Sequence, residues 1–173
     1  FPFSYNWAQY KTFSKEEALS HYDRPEEIAP MKAEEEYKEF VDGNVELLVK
    51  RVEQHPDTMF YFFYPPYSML WWDNMFRSGE LEQVMYAAGT SAERLLGYEN
   101  VRMYYFQNDR DIILDLNKYM DPVHFTAVIN QYMVEQMKED NYRLTEENYR
   151  EELDKMRKLA EEIREKEIKK YFP

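Results

Sequence analysis

The chain has 173 residues, enough for one domain or most of one, with 44% hydrophobic and 32% charged residues, an ordinary balance for a folded protein. A net charge of −12 argues against nonspecific binding to nucleic acid or anionic membranes. The absence of cysteine excludes disulfides, thiolate metal sites and a cysteine nucleophile. Aromatic residues reach 17%, which favours a real core and ring-lined clefts, and only 4 glycines argue against Gly-rich phosphate loops.

Residues 1–30 read as an irregular lead-in. They begin at Phe1 without Met, on a mixed aromatic and polar stretch to Tyr10, and this start reads as a cut from a longer protein. Ser14-Lys15-Glu16-Glu17 fits a capping box for a short helix, which Asp23-Arg24-Pro25 and Ala29-Pro30 interrupt. From Met31 to His55 the spacing of Tyr37, Phe40, Val41, Val45, Leu48, Val49 and Val52 predicts an amphipathic helix, with Gly43 as a weak point. Acid is concentrated in residues 14–57, where a solvated helix face is the first reading and a docking surface the second.

Thr58 to Tyr64 is a short, almost continuous aromatic run, predicted as a strand buried on both faces and stopped by Pro65-Pro66. A short helix or packed loop follows over Ser68 to Phe76, and a long helix over Glu80 to Leu96, with Gly97 expected in a left-handed cap. Val101 to Phe106 is the second strand, so strand, helix and strand imply a parallel pair. Asn108 to Met120 reads as a loop with one turn near Ile112-Ile113. Ala127 to Lys138 reads as a helix with Val128, Ile129, Tyr132, Met133 and Met137 inward. Thr145 is expected to cap a final helix whose seam Tyr149, Leu153, Met156, Ala160 and Ile163 packs on the rest. The expected organisation is lead-in 1–30, α/β body 31–142 and C-terminal helix 143–173. Two parallel strands are few for a stable sheet, so further strands, upstream of Phe1 or from another chain, are expected to complete it. No apolar run reaches the ~18 residues of a membrane span.

Asp121-Pro122-Val123-His124 is the most informative string. A carboxylate three positions before an imidazole, after a parallel strand and just ahead of a helix, can hold one ring nitrogen while the other acts as a base. His21 lies in a polar, Pro-broken stretch and reads as solvent-exposed, while His55 lies at a helix end, where it reads as structural. A metal site built from His124, Asp121 and Asp115 offers one nitrogen and two oxygens, too few for zinc, so no metal and no cofactor are expected. Ser68 stands at the end of a strand without the Gly-x-Ser-x-Gly elbow, and a cap hydroxyl is its plainer role. Tyr67, Trp71 and Trp72 read as core or cleft wall, with stacking on a sugar ring as the sharper alternative.

One resemblance organises these pieces. It rests on Phe60 to Tyr64 with Pro65-Pro66-Tyr67-Ser68 and Trp71-Trp72, then Asn100 to Phe106 and the loop Asp111 to Tyr119. Asp121-Pro122-Val123-His124-Phe125, Ile129-Asn130 and Tyr142 to Tyr149 complete it. In this order they resemble the C-terminal half of SGNH/GDSL-type hydrolases, in the cell-envelope branch of Gram-positive bacteria that includes the D-alanyl transfer protein of teichoic acid synthesis. The resemblance implies a three-layer α/β/α flavodoxin-like fold, a serine esterase or acyltransferase, and Asp121 and His124 as the acid and base of its triad. It implies an O-acyl substrate on an envelope carbohydrate, with Tyr67, Ser68 and Trp71 nearby, and an extracytoplasmic location with anchoring through a segment absent here. The Gly-Asp-Ser-like block and the oxyanion-hole Gly and Asn of such enzymes are absent, so the nucleophile is expected outside this chain and the chain alone is expected to be inactive. The alternative is a noncatalytic acidic module that binds a partner protein.

Overall fold

The computed structural model describes residues 10–173, and the aromatic stretch at the start of the lead-in lies largely outside the described residues. Helix α1 (Lys15–Ser20) starts where expected, with the Ser14 hydroxyl accepting from the Glu17 amide at 3.1 Å. Helix α2 (Glu34–Gln54) follows, then strand β1 (Phe60–Tyr64), α3 (Met69–Arg77), α4 (Leu81–Leu95) and β2 (Val101–Tyr105). The loop predicted after β2 holds a single turn α5 (Arg110–Ile113) and a 3-10 turn (Leu116–Lys118). Helix α6 (Ala127–Lys138), a two-residue strand β3 (Arg143–Leu144) and α7 (Tyr149–Glu162) complete the order, and α7 runs on through a π turn (Ile163–Glu167) and a 3-10 turn (Ile168–Lys170). The chain is therefore a helix-rich α/β protein. Among the described residues no helix is long and apolar enough to cross a membrane.

The sheet has the order β1-β2-β3, with β1 and β2 parallel, as the strand-helix-strand order predicts, and β3 antiparallel to β2. Side chains alternate across it. Val101, Met103 and Tyr105 are buried on one face, where Phe60, Phe62 and Tyr64 also pack and Tyr64 meets Ser91 of α4. Tyr104 points to the other face, toward α6, where its hydroxyl reaches the Met137 carbonyl at 3.3 Å and Asp140 Oδ1 at 2.8 Å. Buried Trp72, Tyr104, Tyr105, Phe106 and Tyr119 dominate the core, and burial of Phe106 stabilises the fold by about 1.5–3 kcal/mol through area removed from water.

Several expectations are corrected. Strand β1 is not buried on both faces: Tyr61 is 57% and Phe63 49% exposed, because α6 covers β2 and leaves β1 open. The Phe60 amide donates to Asn100 at 2.8 Å and the Tyr64 carbonyl accepts from Phe106 at 3.1 Å. Parallel pairing then turns the N–H and C=O groups of Tyr61 and Phe63 away from β2, toward the open edge. Phe40 and Val128, expected inward, are 69% and 72% exposed. Gly97 has no left-handed backbone; the only described glycine that has one is Gly79, at φ +74°. Thr145 stands one turn ahead of α7. Its amide donates to Asn148 Oδ1 at 2.8 Å and its hydroxyl accepts from the Asn148 amide, so this reciprocal pair shapes the turn before the helix. The final seam does pack inward: Tyr149, Met156, Ala160 and Ile163 are buried against the domain, with α7 lying on α3 and α4.

Candidate acid–base site

The candidate site forms where the segment after β1 meets the loop before α6. Residues 118–126 fold back on themselves, with the Met120 amide donating to the His124 carbonyl at 3.0 Å and the Thr126 amide to the Lys118 carbonyl at 2.9 Å. Three bonds fasten this loop to the end of β1. The buried Tyr119 hydroxyl donates to the Pro66 carbonyl at 2.6 Å, and the Pro122 carbonyl accepts from both the amide (3.1 Å) and the hydroxyl (2.8 Å) of Ser68. Just after β1 the Tyr67 amide donates to the Pro65 carbonyl at 3.0 Å, a tight turn at Pro66 that presents the Pro66 carbonyl and the Ser68 amide to the loop.

Within the loop one carboxylate arranges the motif. Asp121 Oδ1 accepts from the Val123 amide at 2.8 Å and from the His124 amide at 2.7 Å, while Oδ2 lies 2.7 Å from His124 Nδ1. Burial opposes ionisation of Asp121, but the two amide bonds and the imidazole outweigh it and hold the carboxyl below its ordinary range. An ionised carboxylate only accepts, so the proton sits on Nδ1 and Nε2 is the basic nitrogen of the neutral ring. His124 is 54% exposed in its side chain, and its ring lines a cleft of about 290 Å³ with Pro65, Tyr67, Val123, Phe125 and Asn130.

Compared with known proteins, this chain matches no family model, no curated protein and no solved structure.

The other residues singled out in the sequence fall in distinct places. Tyr67 lines the cleft. Trp71 backs it, with its ring centroid 4.9 Å from that of Tyr67, and stacks edge-on with Trp72. Ser68 is fully buried as the cap of α3, accepting from the Leu70 amide at 3.3 Å while donating to Pro122. Asp115 turns away from His124; it accepts from the Asn117 amide and pairs with Lys118 at 3.6 Å. His21 bonds its own helix, and His55 ends α2 in solvent. Among the described residues no group of three or more His, Asp or Glu side chains is placed to hold a metal ion. Sequence reasoning missed Tyr119 as the clamp on Pro66 and Phe125 and Asn130 as cleft wall. A buried tyrosine in a loop carries no periodic signal, so only the tertiary contact reveals it.

Proposed function

We propose that this chain is the C-terminal portion of an SGNH-type esterase or acyltransferase with a flavodoxin-like three-layer sheet. His124 is its general base and Asp121 the group that orients and charges it. The observation that carries this reading is the 2.7 Å contact from Asp121 Oδ2 to His124 Nδ1 beside an open cleft. A serine hydroxyl attacks the carbonyl carbon of an ester as His124 Nε2 takes its proton. The proton passes to the departing alkoxide, leaving an acyl-serine. Water or an acceptor alcohol then repeats the cycle and releases the acyl group. The substrate is an O-acyl group, on a cell-envelope polysaccharide by resemblance, and the location extracytoplasmic.

The nucleophile comes from polypeptide outside this chain. Supporting this, the five serines among the described residues are engaged with backbone groups, Ser14 and Ser68 as helix caps and Ser20, Ser78 and Ser91 on carbonyls of their own helices, while Ser4 lies outside the described residues. The open edge of β1 is where further strands add to the sheet, since Tyr61 and Phe63 leave both backbone groups and apolar surface there. Hydrolysis of p-nitrophenyl acetate by the 173-residue chain tests this. The expected result is no turnover above that of free imidazole and no acetyl-serine by mass spectrometry. Turnover lost in His124→Ala together with an acetyl-serine places the nucleophile inside the chain and overturns this part of the proposal.

A second reading has one observation in its favour. Phe40 and Leu47 stand exposed on the acidic helix α2, a surface that suits a partner protein with basic and apolar groups. Such binding is lost in Phe40→Glu and untouched by His124→Ala.

A further inference from the structure

A second cleft, of about 380 Å³, is formed where the lead-in and the C-terminal tail both meet α3. Arg24 from the lead-in, Phe76 and Arg77 from α3, and Arg164, Glu165 and Lys169 from the tail face it. In a chain with a net charge of −12, four cations from three segments converge on this one hollow.

The carboxylates present do not balance them. Buried Asp73 receives Arg24, with Nε 2.7 Å from Oδ2 and Nη2 3.2 Å from Oδ1. Glu165 is shared by Arg164 at 2.7 Å and Lys169 at 3.6 Å. Among the described residues Arg77 meets no carboxylate; its Nε and Nη2 donate to the carbonyls of Pro25 and Glu26, each at 2.5 Å. Among the described residues, four cations against two carboxylates leave a surplus of positive charge in the cleft.

The arrangement is also held in place. Arg164 lies over the Phe76 ring at 4.8 Å and Arg24 over Phe172 at 5.1 Å, contacts that fix the planes of two guanidinium groups. Arg77 is fixed by its two carbonyls. The π turn at Ile163–Glu167 adds one residue to the helix and so rotates the remainder of the tail by roughly 100°. That turn packs on α3, which sets Arg164 and Glu165 beside Phe76. Planar, pre-oriented guanidinium groups with an ammonium alongside match the oxygens of a tetrahedral oxyanion.

We propose that this cleft binds a phosphate-type oxyanion, free or as the monoester of a small molecule, at a site separate from His124. Glu165 swings from Arg164 when the anion enters, and its exchange costs little because both side chains are about half exposed. The site requires nothing of the acid–base reading and stands or falls by itself.

The test is titration of the chain with inorganic phosphate and with glycerol 3-phosphate at low ionic strength, followed by calorimetry and by arginine side-chain NMR signals. Saturable binding is expected, weakened roughly tenfold or more in Arg164→Gln/Lys169→Gln. The same loss of charge elsewhere, in Lys50→Gln/Lys155→Gln, leaves affinity unchanged. Tighter binding of the ester identifies a phosphate monoester as the ligand, and equal binding a free oxyanion. Non-saturable titration, or equal weakening in the two double variants, reduces the effect to net charge and overturns the proposal.

Discussion

Asp121 uses both of its carboxylate oxygens: Oδ1 closes the turn through the amides of Val123 and His124, and Oδ2 fixes the imidazole. Its carboxyl is held below the ordinary range, so ionised Asp121 stabilises the native state above the unfolded pKa of about 4, and this contribution is lost as pH falls through the lower, folded value. Asp121→Asn keeps an oxygen for the amides and removes the charge. The stability advantage of the parent over this variant, measured by urea unfolding, is expected to hold near pH 5 and shrink as pH falls below about 4. An advantage that persists unchanged to pH 2 contradicts the lowered pKa. The Asp-x-x-His spacing was legible in the sequence because both partners sit within one turn. Ser68 and Pro122 are 54 residues apart, and no local pattern announces that contact.

At the scale of elements, the end of α3 shows what spacing alone misjudges. Gly79, not Gly97, takes the left-handed conformation, with the Gly79 amide bonded to Phe76 at 3.1 Å and the Glu80 amide to Met75 at 2.8 Å. A Cβ at Gly79 would stand 2.1 Å from the Pro30 carbonyl oxygen, and the Gly79 carbonyl accepts from Lys32 at 2.9 Å. Gly79→Ala therefore combines backbone strain with a clash that pushes the lead-in off α3. It is expected to destabilise by about 2 kcal/mol or more in chemical denaturation. A loss under about 0.5 kcal/mol, the usual range for surface changes, contradicts this packing. The long helices were legible from periodicity, and the two parallel strands as short apolar, aromatic segments between helices. Strand β3 was not: two residues carry no period, and its placement depends on Asp140 and Tyr142 at φ +58° and +60°. Tyr142 is held there by Asp109 and Tyr132, at 2.8 and 2.7 Å. Phe40 and Val128 fit the apolar spacing of their helices, yet among the described residues no neighbouring element covers them.

At the scale of the molecule, a three-stranded sheet has α4 on one face and α6 on the other, with β1 at an open side. The aromatic run of β1 suggests burial on both faces, and its composition suits that; the described residues cover only one. The same strand ends at Pro65-Pro66-Tyr67-Ser68, which both fastens the Asp121–His124 loop and walls its cleft. The sheet edge and the Asp121–His124 loop thus meet beyond the end of β1, so a sheet extended beyond β1 grows beside the candidate site. This framework holds the His124 imidazole in one orientation against Asp121. Long-range ¹⁵N–¹H NMR of the imidazole, at a pH where the ring is neutral, tests it most directly. The proton is expected on Nδ1 in the parent, with this preference lost in Asp121→Asn. A ring protonated on Nε2, or one that averages its tautomers as free histidine does, contradicts it.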